Sequence, residues 1–222
     1  MLHTLNFSFL LPVIIIFFYF KKVKHWRILA PLLFYLLLFF FLNLFYAESK
    51  AILGKKLYYF VYTLLEYFTF VYIMWNSIVN KKFKSSIVFL SCLFTIFLII
   101  FYSTVKIKRL DSVPIGIETI VLIVFIIYFF YLYFKNVSAG YIYENASFWL
   151  VTGILIYLGF TFFFNILANS LNEELFQKYF YYNYLGDILK NILFAVAVIF
   201  FARKKQYNSE KEAFNVPYLD MI

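Results

Sequence analysis

Apolar residues arrive in long blocks along this chain, and the polar ones cluster between the blocks. Runs bounded by charge cover 5–20, 27–46, 57–79, 84–102, 115–134, 147–169 and 183–202. Six of them are close to the 20 or so residues that cross about 30 Å of hydrocarbon as a helix. The first has 16 residues before the cluster KKVKHWR. It has neither a basic stretch in front nor a small-residue cleavage site behind, so it reads as a span rather than a secretion signal. The pattern predicts an all-α polytopic membrane protein: a single seven-helix transmembrane domain over 1–202, followed by a short polar cytoplasmic tail over 203–222. Short connections make consecutive helices antiparallel neighbours.

Orientation follows from the basic residues. With the N-terminus outside, twelve of the twenty Lys and Arg fall on the cytoplasmic side, seven fall outside, and Lys190 lies within a span. That bias predicts N-terminus out and C-terminus in, against the local evidence of Lys106, Lys108 and Arg109.

Composition agrees with the pattern. Of 222 residues, 65% are hydrophobic and 26% aromatic, well beyond the apolar share of soluble domains. The excess of Phe, Tyr, Ile, Lys and Asn is also what an A/T-rich coding sequence produces. A net charge of +9 suggests nucleic acid only until its distribution is seen. The basic residues sit at the ends of apolar runs, so the lipid bilayer is the predicted partner and nucleic acid is not. Lone Cys92 lies inside an apolar run and supports neither a disulfide framework nor a thiolate metal site.

Against this background the stretch YTLLEYFTFVYIMW carries Glu66 in mid-run. Tyr62, Glu66, Thr69, Ile73, Asn76 and Asn80 recur at spacings of four and three, one stripe down one helix face. In the sixth span Tyr157, Thr161, Asn165, Asn169 and Asn172 repeat the pattern. Such stripes face protein, because an unpaired polar group in hydrocarbon costs several kcal/mol. Glu118 stands just inside the fifth span, Asp187 and Lys190 one turn apart in the seventh, and Asn43 near the outer end of the second. With Glu66 about 15 Å deep, these residues predict a polar pocket open to the outside, with Glu66 as its floor. The candidate ligand-binding set is Glu66, Thr69, Glu118, Thr161, Asn165, Asn169, Asp187 and Lys190. Three structural alternatives stand beside it: Asp187 and Lys190 at i, i+3 neutralise one another, Glu66 is protonated or paired with Lys190, and Asn and Thr hold helices together without any ligand.

Several chemistries are excluded. His3 and His25 are the only histidines and fall at opposite ends of the first span, so neither a metal-dependent membrane hydrolase nor a serine–histidine protease is expected. EELFQK resembles the Glu-Glu-x-x-x-Arg motif of prenyl-endopeptidase-like proteases, but Lys178 replaces the arginine and no intramembrane histidine follows. Lys190 is similar in place to the retinal-binding lysine of microbial rhodopsins, whose acid stands four residues before the lysine, not three, and whose third helix is rich in Arg, Asp and Trp. The chain is predicted to be non-enzymatic, with no cofactor and no metal.

The segments YTLLEYFTF, IGIETIVLIVFIIYFFY, NASFWLVTGILIYLGFTFFF and ILKNILFAVAVIFF resemble a seven-helix membrane module of Bacteroidetes-type bacteria, found alone or as the input region of sensor histidine kinases. Glu66, Glu118, Phe148, Trp149, Tyr157, Lys190 and Asn191 are its informative letters. No phospho-acceptor or ATP-binding region follows Ala202. The resemblance implies a sensory or regulatory component of a bacterial inner membrane that acts through a separate histidine kinase or other signalling protein. A small transporter and a structural subunit of a membrane complex are the other readings the residues allow; oligomeric state is open.

Overall fold

The computed structural model describes residues 7–22, 26–78, 80–105, 111–135 and 144–203. Most of these residues are helical. A 3-10 turn over Phe7–Phe9 leads into α1 (Leu10–Phe18), followed by α2 (Trp26–Leu44), α3 (Tyr46–Leu53), α4 (Lys55–Ser77), α5 (Lys81–Thr104), α6 (Ser112–Lys135), α7 (Ala146–Leu167) and α8 (Glu173–Ala202). Six of them, α2 and α4 to α8, are long and apolar enough to cross a membrane. The protein is a multi-pass helical membrane bundle.

Three elements differ from the expectation. The first run makes only a short apolar helix, Phe7–Phe18, because the chain turns at Tyr19–Lys22 before the cluster KKVKHWR. Twelve residues rise roughly 18 Å at 1.5 Å each, too little for the span expected over 5–20. Its buried side chains Phe9, Val13 and Ile16 instead plug the bundle between α2 and α8. A helix not anticipated, α3, precedes Gly54, whose φ of 76° is open to glycine at little cost. Finally, α8 begins ten residues before the expected position 183. Asn172 caps it by accepting from the Leu175 amide at 2.8 Å, and Phe176 and Phe180, one turn apart, pack on Phe164 of α7 at 5.4 and 5.7 Å. The charges of EELFQK conceal that apolar face.

The helices form a ring: α1 meets α2, then α4, α5, α6, α7 and α8 follow, and α8 returns to α1. The α7–α8 pair is the most extensive contact, and α4 also reaches α6 and α7 across the ring. Small residues permit the α7–α8 approach: a methyl placed on Gly186 would lie 2.8 Å from Phe160 Cβ, and one on Gly153 would lie 3.2 Å from the Phe194 ring. α5 is peripheral, with Phe89, Leu93, Ile96, Ile99 and Ile100 exposed. The tail expected over 203–222 lies, after Arg203, outside the described residues, as do His3 and His25.

Candidate functional site: a buried lysine at the bundle centre

Three helices bring their midpoints together. Glu66 lies eleven residues into α4, Tyr35 nine residues into α2 and Tyr157 eleven residues into α7, each about 14 to 16 Å along its helix. α8 points Lys190 at the same level and leaves it no exposed surface.

Lys190 Nζ donates to Asp187 Oδ1 at 2.7 Å and to Tyr35 Oη at 2.9 Å. Tyr35 in turn donates to Glu66 Oε1 at 3.3 Å. A chain Asp187–Lys190–Tyr35–Glu66 thus links α8, α2 and α4. Aromatic faces surround the ammonium: the Tyr157 ring centroid is 3.8 Å away, and those of Phe9, Tyr35 and Phe70 are 5.3 to 5.9 Å away. Ring quadrupoles stabilise a desolvated cation by about 2 kcal/mol in favourable cases. They take over part of the solvation that burial removes. The short first helix has a purpose here, since it supplies Phe9 and, through Ser8 Oγ, an acceptor for Asn191 Nδ2 at 2.9 Å. Within this network the Asp187 side chain, one turn toward the Glu173 end of α8, is the most exposed, at 18%.

α4 also faces a second polar cluster. Thr63 donates to Asp111 Oδ2 at 3.0 Å, and Tyr102 of α5 donates to the same oxygen. Asp111 immediately precedes α6, outside the apolar span. Burial pushes its carboxyl above the ordinary range, an effect that the Tyr102 and Thr63 hydrogen bonds reduce. Glu118, 3% exposed, interacts electrostatically with Glu66 and Asp111. Its Oε1 and Thr119 Oγ1 have no hydrogen-bond partner. In this interior four carboxyl groups, those of Glu66, Asp111, Glu118 and Asp187, therefore accompany one amino group. Among the described residues no group of three or more His, Cys, Asp or Glu is placed to hold a metal ion.

Of the candidate residues, Glu66, Asp187 and Lys190 converge on one network, and Glu118 joins the adjoining cluster. Thr69 and Thr161 donate to the carbonyls of Leu65 and Tyr157, 2.8 and 2.9 Å away in their own helices, and so stand apart from it. Asn165 is buried on α7. Asn169 is exposed and donates to Ser112 Oγ at 2.7 Å, tying α7 to the start of α6. Lower in the α4 stripe, Asn76 donates to its own helix, and Asn80 caps α5 and reaches Tyr128.

The residue that sequence reasoning missed is Tyr35, and its signal was present: it is the one polar side chain between Arg27 and Asn43. Asp111 was hidden in a segment that reads as a connection, KIKRLDSVP.

Two apolar concavities lie elsewhere, one beside α2 and α3 and one between α4 and α5. Comparison with protein-family models, curated proteins and solved structures finds no match, so the chemistry of the Lys190 network is what bears on function.

Proposed function

We propose that this chain is a non-enzymatic sensory or regulatory membrane module in a bacterial inner membrane: a ring of seven helices, six of which span while the short α1 enters between α2 and α8, with the C-terminal end of α8 inside. On this reading it receives a small cationic ligand from the outside at the polar centre and acts through a separate signalling protein. The observation that carries the reading is the chain Asp187–Lys190–Tyr35–Glu66, which joins three helices at mid-bundle depth. Ionisable groups at that depth are costly and are retained for function. Four carboxyl groups beside a single lysine supply oxygen acceptors in excess, which favours a cation. The partial exposure of Asp187 favours entry from the Glu173 end, the outer end in the orientation that the basic residues favour. A ligand that draws Asp187 away from Lys190, or Glu66 away from Tyr35, alters contacts of α8, α2 and α4 together, which is the differential interaction a switch requires.

Transport is the rival. Transporter sites are typically built from helices interrupted at the midplane, whereas α4, α6, α7 and α8 run continuously through that level. Thermal unfolding of the purified protein in detergent, titrated with sodium, potassium, choline and ethanolamine, tests the proposal. One cation should raise the melting temperature of wild type and not of Glu66→Gln; uptake of that cation into sealed proteoliposomes would instead support transport.

A further inference from the structure

Between α4 and α5 the bundle surface is open. A groove of about 710 Å³ runs there, walled by Phe68, Tyr72 and Trp75 of α4 and by Val88, Cys92 and Ile96 of α5. Phe68, Tyr72, Val88 and Ile96 are each more than a third exposed. From Ile87 to Ile96 the groove wall rises over nine residue steps of helix, about 14 Å. Half of a 30 Å hydrocarbon core is about 15 Å, so the groove is as deep as one leaflet.

The leaflet-surface end of the groove is basic. Lys81, Lys82 and Lys84 occupy the first turn of α5, which has no acidic residue. Lys84 Nζ stands 5.1 Å over the Trp75 ring, at the mouth. No Asp or Glu occurs between Tyr67 and Leu110, so α5 and the half of α4 nearer these lysines carry no carboxylate. At this end of the bundle the described residues hold Lys21, Lys22, Arg27, Lys81, Lys82, Lys84, Lys135 and Arg203 against one acid, Glu144. The polar atoms of the groove are already engaged: Ser91 Oγ with Tyr67 Oη at 3.0 Å, and Thr95 Oγ1 with the Ser91 carbonyl at 2.8 Å. They leave little with which to hydrogen-bond a partner helix, the usual polar glue between transmembrane segments.

We infer that the α4–α5 groove is a binding site for an anionic phospholipid, with an acyl chain lying between Phe68, Trp75 and Cys92 and the phosphate at Lys81, Lys82 and Lys84. Each basic side chain near a membrane surface adds to attraction for anionic headgroups. The inference is independent of the polar centre and of which leaflet faces the cytoplasm.

Tryptophan quenching by brominated lipid tests it. In a Trp26→Phe/Trp149→Phe background Trp75 is the remaining tryptophan. The protein is reconstituted into phosphatidylcholine vesicles in which a minor fraction is brominated phosphatidylglycerol or brominated phosphatidylcholine. Brominated phosphatidylglycerol should half-quench Trp75 at about a fivefold lower mole fraction, the scale of one lysine's attraction. Replacing Lys81, Lys82 and Lys84 by Gln should erase that preference while leaving the phosphatidylcholine curve and the melting temperature unchanged. Equal quenching by the two lipids, or a preference that survives the triple replacement, overturns the inference. So does quenching by neither lipid with Cys92 of two copies cross-linking, because the groove would then hold a second copy.

Discussion

Replacing Lys190 by Met removes the ammonium and keeps most of the side-chain volume. The loss has two parts. Asp187 is left without its charge partner, which costs about 3 to 5 kcal/mol when a pair is fully buried, and the contact of Nζ with the Tyr157 face, up to about 2 kcal/mol, disappears. Two features reduce the total. Asp187 is 18% exposed and can rehydrate, and the thioether packs well against the four rings. Hydrogen bonds between membrane helices also average only about 0.6 kcal/mol. Lys190→Met is therefore expected to destabilise the bundle by about 2 to 3 kcal/mol. Asp187→Asn should restore about half of that in the double variant, a coupling of at least about 1 to 1.5 kcal/mol once the cost of Asp187→Asn alone is added, within the range of contacting residues. The cycle of Lys190→Met with Glu66→Gln should show coupling no larger than about 0.6 kcal/mol, because the Tyr35 hydroxyl stands between them. Unfolding in mild detergent, followed by helical circular dichroism, measures all six proteins. Additive effects at 190 and 187 would refute the ion-pair account. Strong coupling of 190 with 66 would make Glu66 part of a dry structural pair and remove it from the ligand site.

Two further outcomes follow from local geometry. Gly186→Ala, whose methyl meets Phe160 Cβ at 2.8 Å, should cost about 1 to 3 kcal/mol by overpacking; Gly159→Ala, with nothing within 4 Å of the added methyl, should be neutral or stabilising by up to about 1 kcal/mol, and melting temperatures of the pair check the contrast. Asp111 contributes stability below the ordinary carboxylate range that is lost as pH rises through its elevated folded-state value. The melting temperature of Asp111→Asn minus that of wild type should therefore grow from acid toward neutral pH, and a constant difference would contradict the burial argument.

What the sequence made legible depended on how far each feature stands out from an apolar background. Six membrane-length helices are visible because length and hydropathy alone specify them. The short first helix was overread, since apolar content between residues 5 and 20 says nothing of where the chain turns. The start of α8 was underread, because Glu173, Glu174 and Lys178 outweigh Phe176 and Phe180 in any average. Within the site, Glu66, Asp187 and Lys190 announced themselves as charges in lipid-like runs, and periodicity put Tyr157 on the right face. Tyr35 was visible as the one polar side chain between Arg27 and Asn43, but its role as a bridge was not, since only the ring order of the helices shows which phenol stands between the lysine and the glutamate. Thr69 and Thr161 had the right period and the wrong partner, because a hydroxyl in a helix finds its own carbonyl four residues back.

The central claim is that the polar centre is reached from the outer side, and single-cysteine accessibility measures it directly. In a Cys92→Ser background, Asp187→Cys and Glu66→Cys are exposed in intact cells to a membrane-impermeant cationic thiol reagent, with Ser77→Cys, at the opposite end of α4, as the inner control. The account predicts that Asp187→Cys reacts fast from outside, that Glu66→Cys reacts from outside more slowly, and that Ser77→Cys reacts only when the cells are opened. Labelling of Asp187→Cys and Glu66→Cys only after the cells are opened, or of neither under any condition, would contradict it.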